Sequence, residues 1–362
     1  MSIKKFVNIF VSVIFIFVIY NFAIWNFFTK DILYNEKNMY SGDLARMSYL
    51  SNFVHMRETK VNLEKQHISK EEYKNEKIDI ITIGDSFSNG NVGGENPYYQ
   101  DYLATKKNLN VLNLQILNNT RNYIETIFVL LNSGFLEKAD VKYVLIESVE
   151  RNISKSLEIG VDEYKSLSID ELSNIYKFST NKHNLVDNNY LPPKEFINNG
   201  NFKFLLYNVL YNFSDHAFIS KVNKQKLNKE LFSIKGGKDL LFYEADLKSI
   251  NRNSIENITA VNDNLNKLAQ KLKEKKIQLI FMPAVNKYDL YSSFIVNNKY
   301  PLDPFFDRMR TLEKNYIFID TKDILLQQLN KGGKDIYYID DTHWSYKGSD
   351  VITDEIISKL NI

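Results

Sequence analysis

The chain contains no cysteine, two tryptophans, five histidines, six prolines and thirteen glycines. Without cysteine there is no disulfide framework, no thiolate nucleophile, no Cys-ligated zinc and no iron–sulfur cluster. Glycine is too sparse and scattered to form a nucleotide-phosphate cradle, and no coenzyme A site is evident, so no cofactor is expected. Histidines at metal-ligand spacing, such as H-x-x-x-H, are also missing, so no metal is expected. An excess of charge of one sign is lacking too: 46 basic against 44 acidic residues leave a net charge of +2. A nucleic-acid binder that works by neutralising phosphates needs a basic excess or a basic face. Internal repeats and low-complexity tracts are absent. What remains is a globular composition, 44% hydrophobic and 25% charged, in a chain of 362 residues long enough for one large domain or two ordinary ones.

Aromatic residues are abundant, at 14%, and unevenly placed. Phe6, Phe10, Phe15, Phe17, Phe22, Phe27 and Phe28 crowd into the first 28 residues. From Phe6 to Phe28 the chain is apolar with no formal charge. At ~1.5 Å per residue this run reaches about 35 Å, enough for a hydrocarbon core of ~30 Å. Lys4 and Lys5 precede it, and Trp25 stands where an interfacial aromatic anchor belongs. No A-x-A-like cleavage site follows, so the run reads as a retained anchor contacting the bilayer through residues 6–28 and not as a signal peptide. Lys30, Lys37 and Arg46 follow the span, so basic residues flank it on both sides and their count does not orient it. The missing cysteines agree with an oxidising exterior, and the bulk of the chain is expected outside the cytoplasm, on a single-pass anchor in the cell membrane.

Residues 1–28 are therefore the expected anchor, 29–77 a juxtamembrane stalk, and 78–362 an α/β catalytic domain. Apolar, β-rich runs at Ile78–Ile83, Asn110–Ile116, Val141–Glu147, Ile277–Met282 and Tyr316–Asp320 predict five buried strands. Helical periodicity lies between and after them, at Thr120–Leu136, Glu256–Lys276, Thr321–Leu329 and Ser345–Leu360. Strands alternating with helices predict a parallel five-stranded sheet covered on both faces, with ligand chemistry beyond the carboxyl ends of the strands. The stretch of about 151–253 is too long for an ordinary connection. It reads as an insertion or cap with helix around Phe202–Phe213 and Lys221–Leu231.

Two motifs carry chemistry. Ile83-Gly84-Asp85-Ser86-Phe87-Ser88 ends the first core strand and delivers Ser86 to the carboxyl edge of the sheet, where its own backbone N–H could serve an oxyanion. Asp340-Asp341-Thr342-His343-Trp344-Ser345 precedes the last helix. A serine hydroxyl needs a base to take its proton; histidine suits that role, and a carboxylate fixes the imidazole's tautomer. Either Asp341 or Asp340 could orient His343 from the same loop. His55, His67, His183 and His216 sit in no comparable setting and read as surface or packing residues.

Together, a serine after the first strand and an acid–base pair before the last helix resemble the SGNH hydrolase superfamily, with its flavodoxin-like parallel sheet, over about residues 78–362. Asn118 stands where that superfamily has its second oxyanion glycine. After the third strand, Glu147-Ser148-Val149-Glu150-Arg151-Asn152 replaces the usual G-x-N-D. The E-x-x-E-R pattern, the D-T-H-W motif and the Pro283–Tyr291 stretch with Lys287, Tyr288 and Tyr291 look like the alginate O-acetyltransferase-like branch of polysaccharide O-acetyltransferases. By that resemblance Ser86 is the nucleophile, His343 the base and Asp341 its orienting acid. Asn118 and Arg151 would then serve the oxyanion or the substrate, while an ion pair of Arg151 with Glu147 or Glu150 is the plainer alternative. Trp344 is expected to pack beneath its loop.

The resemblance implies a membrane-anchored, extracytoplasmic O-acetyltransferase acting on a cell-surface or exported polysaccharide through an acyl-serine. It also implies a membrane-bound O-acyltransferase partner as acetyl donor. Two alternatives share the chain: an esterase that removes acetyl groups with the same triad, and a catalytically silent glycan-binding scaffold.

Overall fold

The computed structural model describes residues 1–33, 41–54, 62–89, 98–178, 195–234 and 236–362. His55 and His183 lie outside these residues, as does part of the 151–253 stretch.

The first helix runs Ile3–Ile24 and continues through a π-turn, Trp25–Thr29, into a short helix, Lys30–Leu33. It is long and apolar enough to cross a membrane, and it is exposed along nearly its whole length.

Among the described residues eight strands follow in chain order: β1 Ile68–Ser69, β2 Ile80–Ile83, β3 Val111–Leu114, β4 Tyr143–Val149, β5 Val222–Lys226, β6 Asp239–Tyr243, β7 Gln278–Ala284 and β8 Ile317–Phe318. Six of them form one sheet in the order β1-β3-β2-β4-β7-β8, with every neighbouring pair parallel. All four residues of β2 and of β3 are buried, as are six of seven in β4 and in β7. Near-continuous burial is what a parallel sheet covered by helices on both faces requires, and it explains why these strands read as apolar runs instead of alternating patterns.

The sheet has six strands, where five were expected. The extra one, β1, adds only Ile68 and Ser69 to the edge beside Leu112 and Asn113 of β3. A two-residue edge strand carries no periodicity, so nothing in the sequence marks it. A second correction falls in the insertion. Lys221–Leu231 was expected to be helical, but Val222–Lys226 pairs antiparallel with Asp239–Tyr243 as a separate two-stranded sheet. The helix expected around Phe202–Phe213 is present as Asn199–Leu210.

The chain leaves β2 toward β3 on one side, while β4 pairs on the other. This reversal opens a crevice at the carboxyl end of β2, the usual place for ligand chemistry in such sheets. One buried apolar cluster joins the sheet to its surroundings. It includes Leu44, Leu50, Phe53 and Tyr73 from before β2, and Val222, Leu240 and Phe242 from the insertion.

Candidate active site

Ser86 opens a short helix, Ser86–Asn89, directly after the Gly84–Asp85 turn that leaves β2. Asp85 clamps this turn from both sides. Its backbone N–H donates to Glu147 Oε2 (3.0 Å), and its carboxylate accepts from the N–H of Val149 (2.7 Å) and of Phe87 (3.3 Å). The turn that carries Ser86 is thereby tied to the end of β4. Gly84 is required here by space: a Cβ would fall 2.3 Å from Glu147 Oε2 and 2.6 Å from Ser88 Oγ.

Glu147 is wholly buried beneath this turn and also accepts from Ser88 Oγ (2.9 Å). Burial, and then the charge of Asp85, push its carboxyl well above the usual range.

His343 Nε2 lies 2.7 Å from Ser86 Oγ, and His343 Nδ1 lies 2.6 Å from Asp341 Oδ1. A carboxylate only accepts, so Nδ1 carries a proton and Nε2 is free to accept from the serine hydroxyl. The backbone N–H of His343 also donates to Asp341 Oδ1 (3.0 Å), which closes the loop on itself. Asp341 is the carboxylate that faces the imidazole. Asp340 turns away, and its Oδ2 accepts from the N–H of Gly42 (2.8 Å). Phe87 packs on the His343 ring, with centroids 4.6 Å apart, and on Trp344 at 4.4 Å. Trp344 is buried beneath the loop, and Gly348 leaves room for it, since a Cβ there would meet Trp344 Cβ at 2.7 Å.

Two further side chains hold the histidine loop. The ammonium of Lys287, which follows the end of β7, is fully buried and donates to three carbonyls: Tyr338 (2.6 Å), Ile339 (2.8 Å) and Asp341 (2.9 Å). Its three protons match three acceptors on consecutive turns of one loop. Burial pulls its pKa down to about 7, against the opposing charges of Asp340, Asp341, Asp43 and Asp246. Asp43 reaches the loop from the opposite side, from the first turn of a helix, Asp43–Ser48, that precedes the sheet. Its carboxylate accepts from the N–H (2.8 Å) and the hydroxyl (2.6 Å) of Thr342, and its N–H donates to Asp341 Oδ2 (3.2 Å). Loss of water, and then the charge of Asp341, raise the Asp43 carboxyl above its ordinary value.

Asp43, Asp341 and His343 place donor atoms within 4.8 Å of one another, the one grouping among the described residues with metal-ligand geometry. Each member is already engaged in the hydrogen bonds above.

Arg151 lies at the end of β4, on the same edge of the sheet. Its guanidinium pairs with Asp246 (3.3 Å) and Asn286 (3.4 Å) and lies 5.6 Å from the Tyr243 ring. The acid is thus supplied by the insertion, and neither Glu147 nor Glu150 is the partner. Burial lifts Asp246 to about 6 even though Arg151 opposes it. Glu150 is buried and accepts from the N–H of Asn286 (2.7 Å). Asn118 lies on an exposed turn after β3, and its side chain makes no hydrogen bond among the described residues. His67 pairs with Asp101 (2.6 Å), away from this site.

Sequence reasoning singled out the serine, the histidine and both aspartates. It missed Asp43, for which no signal exists: a short polar Ser-Gly-Asp precedes a six-residue helix, 299 residues from the loop it holds. Lys287 was noted only as part of a resemblance. A lone lysine just past a buried strand, between Val285-Asn286 and Tyr288, was the available clue to its burial.

The doubly covered parallel α/β sheet sets a serine at the carboxyl end of one strand within hydrogen-bond reach of a histidine that precedes the last helix. Residues 234–361 match the family model described as the SGNH hydrolase-like domain of the acetyltransferase AlgX. That match takes in Lys287, Asp341, His343 and Trp344 and begins after Ser86. Among solved structures, the chain is similar to the lipase Lip_vut3 from a goat rumen metagenome. The two share 14% identity over 78% of this chain and 96% of that one, with a TM-score of 0.36. No curated protein matches the chain.

Proposed function

We propose that the protein is a membrane-anchored, extracytoplasmic O-acetyltransferase that acetylates hydroxyls of a cell-surface or exported polysaccharide. The observation that carries this reading is the continuous Ser86–His343–Asp341 hydrogen-bond chain, at 2.7 and 2.6 Å. The match of residues 234–361 to an acetyltransferase domain supports the direction of the chemistry.

In this mechanism His343 Nε2 takes the proton of Ser86 as Oγ forms a bond to the acetyl carbonyl carbon. The tetrahedral oxyanion is held by the backbone N–H groups of Ser86 and Asn118. The imidazolium, stabilised by Asp341, returns its proton to the departing donor oxygen, leaving acetyl-Ser86. A sugar hydroxyl then gives its proton to His343 as it attacks the acetyl-serine carbonyl, and the imidazolium passes that proton to the departing Ser86 Oγ, which restores the free serine and releases the acetylated sugar. Arg151, held by Asp246, positions the acceptor. A membrane-bound O-acyltransferase supplies the acetyl group.

The test uses the full chain in detergent micelles with an activated acetyl ester and an oligosaccharide acceptor. Acetylated sugar should form, with an acetyl group trapped on Ser86, and Ser86→Ala should lower turnover by about a thousandfold or more. Full turnover by Ser86→Ala would sink the mechanism. Free acetate formed at the same rate with and without acceptor would replace the transferase with an esterase.

A further inference from the structure

The helix Asn199–Leu210 has two faces with different partners. The inward one docks on the end of the apolar N-terminal helix. Asn201 is fully buried, and its amide donates to the Asn21 carboxamide (2.9 Å) while accepting from Thr29 Oγ (2.6 Å). The hydroxyl of Tyr20 donates to the Asn201 carbonyl (2.8 Å), and Phe28 stacks on Phe204 at 4.8 Å. Trp25, Ile32, Leu33 and Phe204 close a small buried cluster at this joint. Further along the same face, Asn208 donates to the Tyr49 carbonyl, and Tyr211 reaches Ser220 and Val222.

Among the described residues, the outward face has no partner of that kind. Phe202, Leu205, Val209 and Phe213 recur at spacings of three and four residues, which sets them in one stripe. They are exposed by 66%, 48%, 47% and 86%, and the next turn adds Phe218 and Ile219 at 76% and 60%. An uncharged, aromatic-rich stripe of this size is seldom left to water. Its occupant follows from its position. Counting ~20 residues of ~1.5 Å rise from Lys5, the N-terminal helix leaves a ~30 Å hydrocarbon core near Trp25. Asn201 is bonded to the helix at Asn21 and Thr29, on either side of that level. The stripe therefore begins at the level where the N-terminal helix leaves the hydrocarbon core.

We propose that the outward face of Asn199–Leu210, with Phe213, Phe218 and Ile219, is a second membrane contact that lies in the bilayer interface beside the anchoring helix. It rests on Ile3–Thr29 spanning the bilayer and is independent of the chemistry at Ser86. Interfacial helices of this kind sit ~5–10 Å into the headgroup boundary. The contact fixes the attitude of the domain on the membrane, so the domain does not swing on a loose tether.

Because the chain has no cysteine, single-cysteine labelling is free of background. The full chain would be reconstituted in phosphatidylcholine–phosphatidylglycerol vesicles with the environment-sensitive fluorophore NBD on Leu205→Cys, Phe213→Cys or Phe218→Cys. Ile14→Cys, within the span, reports the anchor. Glu274→Cys, exposed at the amino-terminal edge of the sheet, reports water. Lipids with a shallow nitroxide should quench positions 205, 213 and 218 at least about threefold more than position 274, and lipids with a nitroxide deep in the acyl chain should quench position 14. Quenching at 14 but not at 205, 213 and 218 would overturn the proposal while leaving the anchor intact. A blue shift at the three positions without lipid quenching would overturn it in favour of a protein partner or a second copy. Absence of quenching at 14 would overturn both the anchor and the contact.

Discussion

Asp43 and Thr342 are 299 residues apart in the chain and are joined by two hydrogen bonds, from the Thr342 N–H and from its hydroxyl, at 2.8 and 2.6 Å. The pair links the segment that follows the apolar N-terminal helix to the residue beside His343. Asp43→Ala removes both bonds and frees the loop to shift by a fraction of an ångström. Hydrolysis of a soluble acetyl ester is expected to fall by about ten- to a hundredfold in kcat/KM. Steady-state kinetics of the full chain, with a thermal melt to confirm folding, checks this; an unchanged rate would remove Asp43 from the positioning of the loop.

The two adjacent aspartates are expected to behave differently. Asp341→Asn destroys the tautomer control of His343 and should lower kcat by a factor of about 10²–10⁴. Asp340→Asn keeps an acceptor for the Gly42 N–H and touches no reacting group, so its effect on kcat should be at least about tenfold smaller. Parallel kinetics of the two variants decide the assignment, and equal losses would contradict it.

Glu147→Gln is expected to flatten the dependence of stability on pH. The folded-state pKa of Glu147 lies well above its unfolded value near ~4.3. Between those two values the folded state holds the extra proton, so the contribution of this group is fully present below the unfolded value and is lost as pH rises through the folded one. Glutamine is neutral throughout and still offers an acceptor to Asp85 and Ser88. Melting temperatures at pH 5 and pH 8 should therefore converge in the variant relative to the wild type, and an unchanged difference counts against a neutral Glu147.

Lys287 carries the opposite slope. Its folded pKa of about 7 lies below the unfolded value near ~10.4, so the unfolded state holds more protons between them. Stability from this group rises as pH climbs from about 7 toward 10. Lys287→Met abolishes that rise and also strands three carbonyls of the His343 loop, so the variant should lose activity as well as stability. Denaturant melts at pH 7 and pH 9, compared with the wild type, give the readout.

Gly84→Ala forces a methyl group to within 2.3 Å of Glu147 Oε2 and 2.9 Å of Glu147 Cβ. The turn that presents Ser86 must move, at a cost of about 1–3 kcal/mol and a sharp loss of activity. A variant with normal melting temperature and rate would show that Glu147 yields instead.

The five expected strands and the longer helices were legible because burial writes itself into composition. β2, β3, β4 and β7 are enclosed on both faces, so each is an apolar run. The Ile255–Glu274 helix shows its apolar stripe, and the N-terminal helix declares itself by length alone. β1 and β5 were not legible. The first is a two-residue edge, and the second, Val-Asn-Lys-Gln-Lys, is mostly polar because only its first two residues are buried.

The sequence by itself determined the long apolar N-terminal helix, the parallel sheet and the residue types of the site, because these depend on local patterns of apolar and reactive side chains. The tertiary structure alone decided which aspartate meets His343, which acid meets Arg151, and that Asp43 and Lys287 grip the histidine loop from two sides. It also decided that the Asn199–Leu210 helix lies against the end of the anchor. Each of these is a meeting of polar groups from distant parts of the chain. Hydrogen bonds and ion pairs act over a few ångströms, and no sequence period records where the fold brings such groups together.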